Sequence, residues 1–577
     1  MDPREDTHTW EALTSALRRW AWVGVLAVAV LTRLTGLAAT PLTPVEATRA
    51  LPSLDAARGA DWPLISESPL LLVGNAFLFF VLGAGDGVAR LLPAVAGVGL
   101  VAVPWLWRGT LNRVGRLTAV TLMLLSPLAL FGARHLVDAA PATLAGALLV
   151  TGLAWALEGD EVQRHRAPRL VALGLGLGLI AGPTFYVAAL PGCVALLLWR
   201  RPWPAGWTRT LGRAAWIGGA GALAVSTALG LRWSGWAGPL EPLATWLTGG
   251  TLPLSHAPLT GQLLLYEPLL VALALVGLGV ALASRTSVID PWLRRWLVWG
   301  ALGLLLLEVW PTADAVALVA VILPLALAAG YTVAHLAAGV TLEARRAMGL
   351  YLLLATTVWL VGLLIWAELA SGFLYLGGPL VLALGGVALL ALEALFYVLF
   401  LLRVPSTALW RGALLSVLLV IGLVQAGAAF GLSFVRTDTA VEPAVDAVTS
   451  PDMAMLRTAL LRAAVRQGLR RDAFPVTLLG MDPTRVALLR WTLRDFGAVK
   501  VDNAWPEAVS GVGAVITSDQ ATGLPEEASS WRGMPFTAWV EHRGGPKPGD
   551  PGFGRWVLYR IAPDTETLVR VVLWLRQ

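Results

Sequence analysis

The sequence predicts a polytopic α-helical membrane protein of about 13 spans, followed by a small C-terminal extracytoplasmic α/β domain. Three observations carry this reading. Of the 577 residues 57% are hydrophobic and only 14% charged, with mean hydropathy +0.70, far outside the range of soluble globular domains. Apolar runs recur at roughly the 20-residue length that a helix needs to cross about 30 Å of hydrocarbon, and Arg-bearing turns separate them. From Ser433 onward the composition becomes mixed and charged.

Spans are expected at 20–39, 88–107, 115–133, 138–157, 170–183, 184–199, 213–231, 262–284, 296–310, 314–338, 347–367, 376–402 and 412–432. Gly182-Pro183 breaks the fifth from the sixth. The apolar segment 68–83 is short, and counting it as a crossing inverts every later loop against the positive-inside rule; it is assigned as re-entrant or shallow. The Arg-rich turns, among them RGTLNRVGR (108–116), QRHRAPR (163–169) and the turn bearing Arg294 and Arg295, then face the cytoplasm. Loop 40–67, the turn with Arg134 and Asp138, loop 233–260 and the C-terminal region share the outer face. The expected organisation is a cytoplasmic N-terminal segment (1–19), a transmembrane domain (20–432) with outer loop 40–67, and an extracytoplasmic α/β domain (433–577). The start, MDPREDTHTWEALTSALRRW, is too long and too acidic for a cleavable signal, so the first apolar run is expected to be retained.

Several function classes are disfavoured. A single cysteine, Cys193, excludes disulfides within the chain and Cys-based metal sites. Basic residues outnumber acidic ones by 43 to 37, yet the arginines are scattered through short turns without a stripe of stacking aromatics, which argues against nucleic acid. Glu308 and Glu393 within apolar runs admit a transporter, but no inverted repeat is detectable. In the C-terminal region, 452–472 has a helical period with Asp452 as expected N-cap. FPVTLLGM, PTRVALLRWTLRDFG, AVKVDN, VGAVITSD, PFTAWVEHR and GRWVLYRIA then alternate strand-like and helix-like pieces. No Gly-rich phosphate loop, nucleophile elbow or metal-ligand cluster is present there, so a lid or docking domain is expected.

The outer loop TPLTPVEATRALPSLDAARGADWPLISESPLLL (40–72) concentrates Glu46, Asp55, Asp61 and Glu67, with Arg49 and Arg58 between them. Its ordinary reading is a solvated linker. Two details weigh against that: Glu46 and Arg49 share a face at helical spacing, and Glu67 stands at interface depth before Ser68-Pro69. Arg90 reads most simply as a snorkelling anchor and Asp138 as a helix cap. His256, in TLPLSHAPLTG, has no partners at metal spacing and reads as a loop residue.

The order of these pieces resembles the N-terminal module of GT-C membrane glycosyltransferases. The likeness is to the family 39 group of protein O-mannosyltransferases, lipid A aminoarabinose transferases and related polyprenyl-phosphate-sugar transferases. It is carried by Glu46-Ala47, Ser68-Pro69-Leu70, then Gly83, Asp86, Arg90, Leu91, Pro93 and Gly97, and finally Gly115, Arg116, Ser126, Pro127, Arg134 and Asp138. It covers about residues 1–200; in addition RWTLRDFG (490–497) is similar to a segment of archaeal members linked to N-glycosylation. The resemblance implies inverting sugar transfer from a polyprenyl-phosphate donor to a lipid, glycan or protein acceptor, at the outer face of a prokaryotic plasma membrane. A carboxylate would take the acceptor proton, and arginine or a cation would neutralise the leaving lipid phosphate. On this basis Glu46, Asp55 and Glu67 are the catalytic candidates, and Arg49, Arg134, Asp138 and His256 the donor-phosphate candidates. Glu67 resembles in position an acid that helps bind metal in the aminoarabinose transferases, so a divalent cation is the one cofactor implied. The chain departs from the pattern at Val45-Glu46, where those enzymes carry Asp-Glu and the Asp is the usual base. Either Glu46, Asp55 or Glu67 takes over, or the chain is a non-catalytic relative that serves as a membrane scaffold or subunit, with a protein partner on its C-terminal domain. The 27 tryptophans are expected chiefly in interface belts against membrane lipids.

Overall fold

The computed structural model describes residues 22–60, 62–63, 66–198, 206–249, 259–283, 291–310, 313–338, 342–370, 379–402, 406–437, 439–503, 513–519, 531–542, 556, 560 and 566–576. The 1–19 segment, Asp61, His256 and most of GRWVLYRIA lie outside the described residues. The chain forms two compact units, one of Met1–Leu37, Leu64–Val73 and Arg90–Ser433, the other of Ala38–Pro63, Gly74–Ala89 and Phe434–Gln577.

In chain order the helices begin with α1 (Trp22–Leu34), α2 (Pro44–Ala57), α3 (Pro69–Leu82), α4 (Asp86–Ala89) and α5 (Leu91–Ala102). They continue with α6 (Arg113–Leu125), α7 (Pro127–Arg134), α8 (Ala139–Glu158), α9 (Glu161–Ala181), α10 (Thr184–Leu198), α11 (Trp207–Ser226) and α12 (Glu241–Thr248). Then follow α13 (Leu259–Tyr266), α14 (Pro268–Ala283), α15 (Pro291–Val309), α16 (Val319–Ala337), α17 (Leu342–Ala370), α18 (Pro379–Leu401) and α19 (Ser406–Phe430). The second unit adds α20 (Asp452–Arg466) and α21 (Pro483–Thr492).

The chain is a multi-pass membrane protein. Among the described residues five helices are long and apolar enough to cross a bilayer, or seven if each of two bent pairs counts as one span. Among the described residues Trp22–Leu34, Leu91–Trp107 and Thr184–Leu198 are shorter apolar helices within other expected spans. With a rise of about 1.5 Å per residue, α3 extends only about 21 Å, short of the hydrocarbon thickness. Both bent pairs break at proline, which cannot continue the preceding ladder: α6 and α7 meet at 56° across Ser126-Pro127, α13 and α14 at 100° across Glu267-Pro268. Small residues let the buried helices close up; a Cβ built on Gly174 of α9 would lie 2.4 Å from the Leu149 backbone nitrogen of α8. By contrast α18 leaves Leu384, Val387, Leu390 and Leu395 exposed, as a lipid-facing span does.

The second unit is built on a sheet of strands β1 (Ala447–Thr449), β2 (Val476–Leu479), β3 (Val499–Asp502), β4 (Ala514–Ser518), β5 (Trp531–His542) and β6 (Glu566–Arg576), in the order β1-β5-β6-β4-β2-β3. β2 pairs parallel with β3 and β4, and VTLL is wholly buried, as expected of a central parallel strand. β6 returns antiparallel to β4 and β5. Asp452 is not the N-cap of α20: Pro451 holds that position, and the Asp452 carboxylate instead accepts from Thr537 N of β5 at 3.0 Å. β1 and β6 were not among the expected strands.

Candidate active site

In the first unit three arginines gather around the end of α1. The last carbonyls of a helix have no intrahelical partner and carry partial negative charge, so they suit guanidinium donors. Arg134, at the last residue of α7, donates to Thr32 O (2.8 Å), Thr35 O (2.7 Å) and Gly36 O (3.3 Å). Arg90 donates to Leu37 O at 2.9 Å, and Arg33 reaches Met123 O at 3.1 Å. Arg33, Arg90 and Arg134 are only 1%, 2% and 7% exposed. Arg134 lies within Coulombic reach of both others, which concentrates positive charge here. Gly97 makes the packing possible, because a Cβ there would fall 2.3 Å from Ala133 Cβ and 3.4 Å from Arg33 Cδ. Arg90 is therefore no snorkelling anchor; its head is buried on backbone. Arg33 escaped the sequence reading, although a lone arginine in AVAVLTRLTG carries the signal of a functional intramembrane charge.

A second cluster lies where α8, α9, α10 and α12 meet residues 66–72. Asp138 makes no capping bond to its own helix α8; its Oδ2 accepts from Thr184 N at 3.1 Å and so serves the start of α10. Gly182, at φ 146°, brings its backbone against that carboxylate, and a Cβ there would lie 2.3 Å from Asp138 Oδ2. Ser68 donates its hydroxyl to Ala181 O, one residue before the same turn. On the other side Ser66 N donates to Glu241 Oε2 at 3.0 Å. Burial pushes the Glu241 carboxyl up from its ordinary range, opposed by the Ser66 N–H and by Arg232. Glu67, half-buried in a bend, is thus fixed by both neighbours, beside the turn that holds Asp138. Arg134 and Asp138 are four residues apart along the chain, which places their Cα atoms at most about 14 Å from each other.

The remaining outer-loop candidates belong to the second unit. Thr43 and Glu46 form a capping box at the start of α2: Glu46 N donates to Thr43 Oγ1 (3.2 Å) and Thr43 N to Glu46 Oε2 (2.9 Å). Glu46 is 2% exposed, while Val45 and Arg49, one turn apart, are half-buried. Asp55 pairs with Arg490 of α21 at 3.1 Å. Asp86 accepts the Trp491 indole N–H at 2.7 Å, with Arg494 at 3.8 Å and stacked on the same indole. Arg58 donates to Arg494 O at 2.6 Å. The RWTLRDFG segment is thus where α2 and the Asp86 turn dock onto α21.

One buried acid was missed altogether. Glu267, fully buried at the α13–α14 break, accepts from the Ser126 hydroxyl and Leu128 N (3.3 Å) at the α6–α7 break. Its other oxygen accepts from Gln425 Nε2 of α19 at 2.8 Å, and Gln425 Oε1 accepts from Leu269 N at 3.0 Å. One carboxylate therefore ties both helix breaks to α19. The two acids that had suggested a proton path are engaged elsewhere: Glu308 accepts from Thr260 N at 2.6 Å, and Glu393 accepts from the Tyr351 hydroxyl.

Among the described residues no group of three or more His, Cys, Asp or Glu side chains could hold a metal ion, and Glu67 is in no such group. The chemistry below is written with this chain's arginines.

No family model and no curated protein matches the chain. Among solved structures it is similar to ArnT from Cupriavidus metallidurans in the apo state, with TM-score 0.55 and 15% identity over 87% of this chain and 94% of that one. ArnT from Cupriavidus metallidurans bound to undecaprenyl phosphate is similar at TM-score 0.54 and 15% identity, over 86% and 93%. An Archaeoglobus fulgidus oligosaccharyltransferase tethered with an acceptor peptide is a weaker likeness, at TM-score 0.47 and 10% identity over 87% and 70%. The first two establish a shared fold: the chain has the fold of ArnT.

Proposed function

We propose that the chain is a GT-C membrane glycosyltransferase, moving a sugar from a polyprenyl-phosphate donor to an acceptor at the outer face of a prokaryotic plasma membrane. The observation that carries the reading is the buried Arg33/Arg90/Arg134 cluster, set in the fold of ArnT. Undecaprenyl phosphate bound to ArnT supports a polyprenyl donor. In this reading the arginines neutralise the lipid phosphate as it leaves, where preorganised charge in a dry site is most effective. Glu67 is the base. Glu67, half-buried in a bend, is held beside the Asp138 turn by the bonds of Ser66 and Ser68 on either side of it. The acceptor hydroxyl passes its proton to the Glu67 carboxylate as its oxygen bonds to the anomeric carbon. The bond from that carbon to the phosphate oxygen breaks with its electron pair, and polyprenyl phosphate departs; a single displacement inverts the centre. Asp138 positions the turn beside Glu67.

A second reading is favoured by one observation, Val45 in place of the family's Asp: a non-catalytic GT-C scaffold. One experiment separates the two. The purified chain in proteoliposomes is given polyprenyl-phosphate sugars with membrane-lipid, glycan and peptide acceptors, and release of polyprenyl phosphate is followed. Acceptor-dependent release by wild type, lost in Arg134→Gln, supports the transferase; no release from any donor supports the scaffold.

A further inference from the structure

At the opposite end of α8 from Asp138 the first unit holds a cavity of about 560 Å³, within the range of small-ligand sites. The 20 residues of α8 rise about 30 Å, so the cavity lies one membrane thickness from the candidate active site. Its lining brings together the turn that follows α5, the turn that joins α8 to α9 and the start of α15, each beside arginines in the chain and all assigned to one face by the charge rule. Three indoles contribute walls, from Trp107, Trp155 and Trp292, with two carboxylates, Glu158 and Asp160. Trp107 and Trp292 meet edge to face at 5.1 Å, and Trp155 is held by Leu106 O at 3.2 Å. The site already accommodates one cation: Arg295 lies 4.4 Å over the Trp292 ring and pairs with Glu158 at 2.7 Å. That accounts for one carboxylate. Asp160 is exposed, uses Oδ1 to cap α9 through Gln163 N at 2.7 Å, and is in no ion pair among the described residues. Arg108 and Arg164, both exposed, are next in the chain to the lining residues Trp107, Gly109 and Gln163.

We infer that this cavity binds the headgroup of an amine-bearing phospholipid, with the ammonium among the indoles beside Asp160 and the phosphate at the arginine rim. An ammonium gains from aromatic faces and from an unneutralised carboxylate. A phosphate gains from guanidinium donors, and the depth, at a span end, is that of lipid headgroups. The inference concerns the other membrane face and stands apart from the proposed transfer reaction.

The test is native mass spectrometry of the full chain with phosphatidylethanolamine, its N-acetyl derivative, which keeps the phosphate but loses the ammonium, and phosphatidylglycerol. Phosphatidylethanolamine should be retained about fivefold over both, a ratio equivalent to about 1 kcal/mol. Asp160→Asn keeps a capping side chain and should remove that preference without lowering the Tm. Equal retention of the three lipids, a preference for phosphatidylglycerol, or an unchanged preference in Asp160→Asn overturns the inference. So does displacement of the lipid by equimolar glycerophosphoethanolamine, which would make the ligand a soluble amine.

Discussion

Replacing Glu267 should destabilise the membrane unit more than any other single change at a polar side chain, and the hydrogen-bond pattern fixes how the loss is recovered. In Glu267→Ala the Ser126 hydroxyl, Leu128 N–H and Gln425 amide all lose their acceptor at a fully buried position. Each stranded donor costs about 1–3 kcal/mol; removing a buried carboxylate returns part of this, leaving a net loss of about 2–5 kcal/mol. Glu267→Gln keeps an acceptor for Ser126 and Leu128 but turns an NH2 group against that of Gln425, at about 1–2 kcal/mol. The exchange Glu267→Gln with Gln425→Glu reverses donor and acceptor across that single bond and still offers Leu269 N an oxygen. It should recover most of the loss. Thermal unfolding in detergent, followed by tryptophan fluorescence, gives the comparison. An alanine variant as stable as wild type, or an exchange no better than Glu267→Gln, refutes the staple.

Other outcomes follow from the same geometry. Gly182→Ala must strain a backbone at φ 146° and displace Asp138, so it should cost about 2 kcal/mol or more and lower activity, whereas Asp138→Ala should cost about 1 kcal/mol through the lost cap on α10; unfolding midpoints compare them. Arg134→Lys should behave nearly as badly as Arg134→Gln in binding undecaprenyl phosphate, because one ammonium cannot span three carbonyls; full binding by the lysine variant would show that charge alone suffices. The half-exposed Asp55–Arg490 pair should show a coupling of at most about 1 kcal/mol in a double-mutant cycle. Because burial raises the Glu241 carboxyl, the folded state holds its proton more tightly than the unfolded chain does. Its contribution is present below the ordinary carboxylate range and is lost as pH rises through the raised value, so wild type should lose stability relative to Glu241→Gln on going from about pH 4 towards neutrality.

Much of the helical framework was legible because apolar runs and prolines report directly on spans and breaks. The expected span 138–157 is α8, 314–338 contains α16, and Gly182-Pro183 does separate α9 from α10. Crossing number was less legible, since an apolar run does not reveal that it bends through 100° at Glu267. Glu267 went unnoticed because its meaning depends on Ser126 and Gln425, more than 140 residues away on either side. The bonds of Asp55, a catalytic candidate in the sequence, and of Asp86, part of the motif order, were hidden for the same reason: their partners, Arg490 and Trp491, lie more than 400 residues downstream. β6 was missed because ETLVRVVLWLR holds the continuous apolar run VVLWL, which periodicity does not tell from a helix segment. Motif order did better than composition at the arginines, pointing to Arg90 and Arg134, though not to Arg33.

The central claim is that this ArnT-like chain transfers sugar with Glu67 as base in spite of Val45. Its most direct test is the acceptor-dependent release of polyprenyl phosphate by wild type and by Glu67→Gln, at matched unfolding midpoints. The account predicts turnover by wild type and a loss of at least about 100-fold in Glu67→Gln, the lower range for removing a general base. Wild-type turnover in Glu67→Gln would contradict it.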